Sequence, residues 1–437
     1  MRQHAYRITY LLFIIAFFKG LIEQLGVNET HIQLLIDILI VMLALISIVF
    51  MIERKNIILL GSKFTLLFLG FIFISYLLSD LNSLYLILFL RKFFIYIIFL
   101  YALLNIEFSM EDKENLFNLL LILFIIQVPA AFVKLILLQG TLEKIVGTMS
   151  VMEGSLATIM PLIPISYLIS LYLNDNKIRY IVGILLFISI GLISNKLGIL
   201  FYLFGLFIIL TVFYAKKETN IYFINRTFFL YITKIFFYLS IIFLLFATIN
   251  PRANPEHKVG GSIDIEFLMA FIDDYNHLKL KGSTVEADGR SDAPFVAFKK
   301  LKERGEKNIW FGFGAGDIVS SGFLPYKNPL LEKYNIGYGG RLGVVWIMMQ
   351  LGVVGVIIFT LFHLNIFLKV YKRFSEETKR EVFIKILALM GVIILFFIDF
   401  FTYSSELLYS AGVAISYYFF IYYILTYDRS HLCPTRS

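Results

Sequence analysis

Apolar runs long enough to cross a bilayer recur along most of this chain, and one stretch of about ninety residues, 251–341, breaks the succession with mixed charge. A bilayer core takes about twenty apolar residues per helix and leaves no backbone group without an internal partner, so each run is confined to a helix. The charged stretch cannot lie in lipid and reads as a loop domain between spans. Composition agrees: 59% of the 437 residues are hydrophobic, 16% are charged and mean hydropathy is +0.82. A water-soluble domain could not cover that balance with polar surface.

The apolar windows predict about twelve transmembrane helices, near 8–25, 32–52, 57–78, 84–106, 116–138, 155–173, 180–194, 197–214, 227–249, 342–366, 383–402 and 407–426. The expectation is an all-α polytopic membrane protein in three parts: spans one to nine in 1–250, a large, mainly helical loop in 251–341, and spans ten to twelve with a tail in 342–437. Within the loop, Ser262 is a candidate cap for a helix whose Phe267, Leu268, Phe271, Ile272, Tyr275 and Leu278 recur at helical spacing, ending at Gly282. A second helix follows Asp292 and Pro294, carries an apolar stripe of Phe295, Phe298 and Leu301, and stops at Gly305. Its Lys299, Lys300, Lys302 and Arg304 suit either anionic lipid headgroups or water. Gly312, Gly314 and Gly316, and then Gly337, Gly339, Gly340 and Gly343, read as tight turns that bracket a site or simply punctuate the loop.

A formal charge of +8 would point to nucleic acid in a soluble chain. Here its distribution matters more, and no nucleic-acid partner is expected. Arg54, Lys55, Lys177, Arg179, Lys216, Lys217, Lys372 and Arg373 fall in alternate loops, while the short loops between them hold little beyond Lys144 and Lys196. Both termini are therefore expected in the cytoplasm and 251–341 outside it. Met1–Arg7 lead into an apolar run with no small-residue cleavage pattern, so the first span reads as retained. The single cysteine is Cys433, which leaves the loop no disulfide and no cysteine metal site.

Ionisable residues inside the spans collect in the outer half, as Asp37, Arg91, Lys92, Lys134 and Asp399 do, with Lys234 the exception. A charge in hydrocarbon costs several kcal/mol unless paired or hydrated, which argues for a polar cavity beneath the loop, with structural ion pairs as the plainer alternative. The chain has no Walker loop, no HExxH and no GxSxG, which disfavours ATPases, zinc proteases and serine hydrolases. What remains is a cationic outer site of Arg91, Lys196, Arg290 and Arg341, suited to a diphosphate because guanidinium groups hold such oxygens in a fork.

Four short motifs then carry a family resemblance. Gly147-Thr148 lies before the sixth span, Ser194-Asn195-Lys196 opens the eighth, Gly289-Arg290 is followed by Trp310 and Gly312-Phe313-Gly314, and Gln350, Gly352 and Gly355 lie in the tenth. In order and placement they resemble the O-antigen polymerase and O-antigen ligase superfamily of bacterial envelope glycosyltransferases. Ligases of that family carry a histidine about three helical turns before the span-ten glycines, where this chain has Arg341, and the resemblance therefore leans toward a polymerase. It implies metal-independent, cofactor-free polymerisation of polyprenyl-diphosphate-linked repeat units into an O-antigen, capsule or exopolysaccharide at the outer face of the bacterial cytoplasmic membrane. A flippase and a chain-length regulator would be accessory partners. Arg290 and Lys196, with Arg341 and Arg91, would neutralise the leaving diphosphate, and Asp288, Asp317 and Glu332 are candidate bases. The alternatives are a ligase that passes a finished glycan to a lipid or protein acceptor, and a polysaccharide transporter, which would more usually show related halves and midplane sites.

The charge pattern makes a direct prediction: reporter tags at residue 437 and near residue 283 should read opposite sides of the membrane, and both on one side would overturn the span count.

Overall fold

The computed structural model describes residues 1–54, 62–137, 145–151, 154–194, 196, 198–219, 285–286, 289–320 and 324–427, with scattered residues between 233 and 270. In chain order the helices are α1 (Arg2–Gln24), α2 (Glu29–Arg54), α3 (Ser62–Leu77), α4 (Ser83–Asn105), α5 (Met110–Leu137), α6 (Leu156–Asp175), α7 (Ile178–Ile193) and α8 (Gly198–Thr219). The loop contributes α9 (Ala293–Glu303), α10 (Glu306–Phe311) and α11 (Pro329–Tyr334), followed by α12 (Gly343–Glu376), α13 (Arg380–Tyr403), the short α14 (Glu406–Tyr409) and α15 (Ala411–Thr426). Among the described residues there is no strand, and eight helices are long and apolar enough to cross a membrane. By length and composition the chain is a helical, multi-pass membrane protein. The expected ninth span, 227–249, and most of the loop helix expected after Ser262 lie outside the described residues.

Several helices outrun their apolar windows. Hydropathy marks the lipid-length part of a helix, whereas the helix itself ends where its backbone is capped. At α5 the cap is reciprocal: Ser109 Oγ accepts from Asp112 N at 3.1 Å, and Asp112 Oδ2 accepts from Ser109 N at 3.0 Å. Within lipid, helices associate through close packing and hydrogen bonds rather than water release. Thus α6 packs on α7, α8 and α13. A Cβ on Gly391 of α13 would fall 2.3 Å from Ser166 Oγ of α6, and that hydroxyl donates to the Ala388 carbonyl at 2.7 Å. At the end of the bundle away from the loop, buried Lys385 donates to Glu114 at 3.0 Å, Glu381 at 3.2 Å and the Tyr423 hydroxyl at 2.7 Å, tying α5, α13 and α15 together.

The loop is fastened to the bundle at one interruption. Gly352 has φ 67° and ψ −170° inside α12, which frees carbonyls that an unbroken helix would use. Phe313 N donates to the Met349 carbonyl at 2.8 Å and Gly314 N to the Gln350 carbonyl at 3.1 Å, while Gly316 N donates to Gln350 Oε1 at 3.1 Å. Ser75 Oγ of α3 sits 2.7 Å from the Phe311 carbonyl and 3.0 Å from that of Gln350. No side chain fits between the two backbones: a Cβ on Gly312 would lie 2.3 Å from the Gln350 carbonyl carbon, and one on Gly352 2.4 Å from Trp310. The loop glycines and the span-ten glycines are two halves of one joint.

Gly352→Ala should therefore lower the thermal stability of the purified protein, by strain of about 1–3 kcal/mol before the clash with Trp310 is added. Gly205→Ala, in α8 with open space around it, should be neutral or slightly stabilising. Equal melting temperatures for the two variants would refute the joint.

Candidate functional site

Of the four expected cations, Arg290 reaches the turn between α13 and α15 with its guanidinium, while Lys196 and Arg341 come near it through their backbone. The last five residues of α13, Asp399–Tyr403, form a π turn, and Ser404 and Ser405 lead from it into α14. The Arg290 guanidinium carbon lies 4.3 Å over the Tyr403 ring, a stacking that holds a cation without neutralising it. Arg290 is also close enough to act electrostatically on Asp399. Asp399 is 1% exposed; its Oδ1 accepts from Ser404 Oγ, and its Oδ2 has no hydrogen-bond partner among the described residues. Glu406, equally buried, accepts from Ser155 Oγ at the start of α6. Thr158, one turn into α6, meets the Tyr403 hydroxyl at 3.1 Å.

Lys196 approaches from another side. Its amide donates to the Gly191 carbonyl at 2.8 Å, closing the end of α7, and two residues later Gly198 faces Thr158 and Tyr403. Arg341 flanks the same turn through its backbone: its carbonyl accepts from Ser405 Oγ at 3.0 Å, and its side chain is exposed. Arg91 behaves differently. It lies in a second π turn, Leu90–Phe94, which packs against α14. Its guanidinium, however, pairs with Asp37 of α2 at 2.5 Å, and Gln33 binds the other carboxylate oxygen at 3.0 Å. A carboxylate one helix away, in an apolar groove of about 580 Å³ lined by residues such as Ile38, Phe73 and Ile98, holds that charge. For Arg91 the plainer structural ion pair is what the geometry displays.

Of the three expected bases, Asp288 lies outside the described residues. Asp317, 4% exposed, is bound by the Lys333 ammonium and the Tyr334 hydroxyl. Burial first, and then the Asp317 charge, push the Tyr334 hydroxyl well above its ordinary range, so it stays a proton donor. Tyr334 in turn stacks flat on Phe313 at 4.9 Å, with Arg304 over both rings, so this acid anchors the loop core around Ala297, Leu301, Ile318 and Met349. Glu332 is exposed and accepts from Asn328 N at 3.0 Å, capping α11. The acid tied to Arg290 is Asp399, and Glu406 lies in the same turn. Sequence reading noted Asp399 only as a charge within a span and passed over Glu406; the cue was a polar Ser404-Ser405-Glu406 break between two apolar windows.

Gly147-Thr148 has a structural part. Thr148 N donates to Gln127 Oε1 at 2.8 Å and Thr148 Oγ1 to the Phe17 carbonyl at 2.8 Å, clipping α5 to α1. Ser194 Oγ donates to the Ile145 carbonyl, so the same clip reaches the end of α7 beside Lys196. The chain matches no known family model and no curated protein.

Because Asp317 and Lys333 are coupled inside the loop core, Asp317→Ala should destabilise the loop by about 3 kcal/mol by leaving a cation unpaired. Glu332→Ala, at an exposed cap, should cost about 1 kcal/mol or less. Protease resistance of the loop in membranes checks both, and equal effects would place Asp317 outside the core.

Proposed function

We propose that the chain is a glycosyltransferase that polymerises polyprenyl-diphosphate-linked repeat units at the outer face of a bacterial cytoplasmic membrane, with both termini in the cytoplasm. The observation that carries this reading is Arg290, held over the Tyr403 ring at the mouth of the bundle and near the buried Asp399. The stacking sets a guanidinium charge beside the turn, and guanidinium groups suit diphosphate oxygens, while Lys196 before the adjoining helix start supplies a second charge.

In the proposed reaction an acceptor sugar hydroxyl attacks the anomeric carbon of the donor. The bond from that carbon to the diphosphate oxygen breaks, and its electron pair leaves with the polyprenyl diphosphate. Arg290 and Lys196 stabilise the negative charge that develops there. The hydroxyl proton passes to a carboxylate, for which the candidates are Asp399, close to Arg290, and Glu406 in the same turn. The motif order that resembles the polymerase and ligase superfamily supports the same reading, and Arg341 at the ligase histidine's spacing favours extension over final transfer.

The test is the glycan ladder of a strain whose own copy of the gene is deleted and replaced by variants, normalised for membrane protein level. Arg290→Ala and Lys196→Ala should each reduce chain extension on the order of a hundredfold or more, and Lys196→Arg should retain it. Tyr403→Phe keeps the platform and should outperform Tyr403→Leu. Polymer that accumulates on the carrier with a bare acceptor would indicate a ligase instead, and full ladders from Arg290→Ala would end the proposal.

A further inference from the structure

The loop helices α9 and α10 leave three aromatic side chains exposed. Sequence periodicity groups Phe295, Phe298 and Leu301 on one face, but the structure buries Ala293, Ala297 and Leu301 and leaves Phe295 78% and Phe298 41% exposed. Trp310, in α10, is 52% exposed. A water-facing loop gains nothing from three such aromatics beside Lys299, Lys302 and Lys307, whereas a bilayer interface accommodates both kinds of side chain.

The depth of α10 says which environment it meets. Phe311 stacks on Phe71 of α3, with ring centroids 5.5 Å apart. Phe71 lies six residues inside the end of α3 at Leu77, about 9 Å along the helix axis at 1.5 Å per residue. That end is apolar to its last residue: Leu77 is 76% exposed, and Phe73 and Ile74 are nearly half exposed on the same helix. The Trp310 backbone also abuts Gly352, nine residues or about 13 Å from the start of α12. Lys307 reaches back to the Leu78 carbonyl at 2.8 Å, placing its charge at the end of α3 while Trp310 lies deeper. Two spans therefore bracket α10 below their ends, and at that depth its tryptophan is half exposed.

We propose that α9 and α10 form a membrane-embedded shoulder of the loop, with Trp310 among the upper acyl chains of the leaflet on the loop's side and Phe295 and Phe298 at its headgroup boundary. The partner is the phospholipid bilayer itself, and the joint at Gly352 holds the shoulder at that depth.

The chain contains two tryptophans, Trp310 and Trp346, so Trp346→Phe leaves a single reporter. In proteoliposomes, phosphatidylcholine brominated near the headgroup end of its acyl chains should quench Trp310 emission about twofold, while aqueous iodide has little effect. The difference between wild type and Trp310→Phe gives the same quantity without Trp346→Phe. Strong iodide quenching with no bromolipid effect would place Trp310 in water and overturn the proposal. So would equal bromolipid quenching of wild type and Trp310→Phe. Neither result bears on glycan chemistry.

Discussion

A transmembrane helix cannot be interrupted in an apolar environment unless something else bonds the carbonyls it releases. Gly352 interrupts α12, and the amides of Phe313 and Gly314 take up the Met349 and Gln350 carbonyls. Much of the loop's position depends on this exchange. It anchors the glycine turn, the turn anchors Phe313 on Tyr334, and Tyr334 anchors Asp317. A loop held by side chains alone could drift over the bundle; one held by backbone hydrogen bonds at close approach has a single register. Arg290 lies three residues before α9, on a segment set by the same anchoring.

The opposite face of that arrangement is the turn from Asp399 to Ser410. It gathers α6 through Ser155 and Thr158, the start of α8 through Gly198, and the end of the loop through Arg341 and Gly343. A guanidinium over an aromatic ring and two buried carboxyls thus share one short turn of a membrane protein, where charge is costly to bury. Other charges among the described residues are paired within the bundle. Lys385 has three partners, and Arg91 and Asp37 have each other. The contrast separates charges that brace the bundle from charges that face its mouth.

Among the described residues hydropathy located the long helical runs, because lipid leaves the backbone no alternative. Residue roles were harder to see. Gly312, Gly314 and Gly352 stood out as signals in two separate places, but that they touch each other is a tertiary fact with no local trace. Lys196 and Arg290 were legible as cations that a polar mouth would need. Asp317 and Glu332 drew attention as loop acids, although one braces a core and the other caps a helix, since charge in a loop does not reveal its partner. Phe295 and Phe298 stood out with Leu301 as one stripe, but periodicity groups residues on a face without saying whether that face meets a core or lipid.

Both π turns, Leu90–Phe94 in α4 and Asp399–Tyr403 in α13, lie where their helices meet α14. Each holds one residue more than an α-helical turn over the same rise. Removal of one residue from either would rotate the rest of the helix by about 100° relative to its first half. At Asp399 that rotation would swing the carboxyl off Ser404, and at Arg91 it would carry the guanidinium past Asp37. The insertions thus act as fixed phase shifts between the two halves of a span. The deep half can keep its packing phase while the mouth is tuned independently, so the architecture can exchange one set of mouth residues for another without repacking its core.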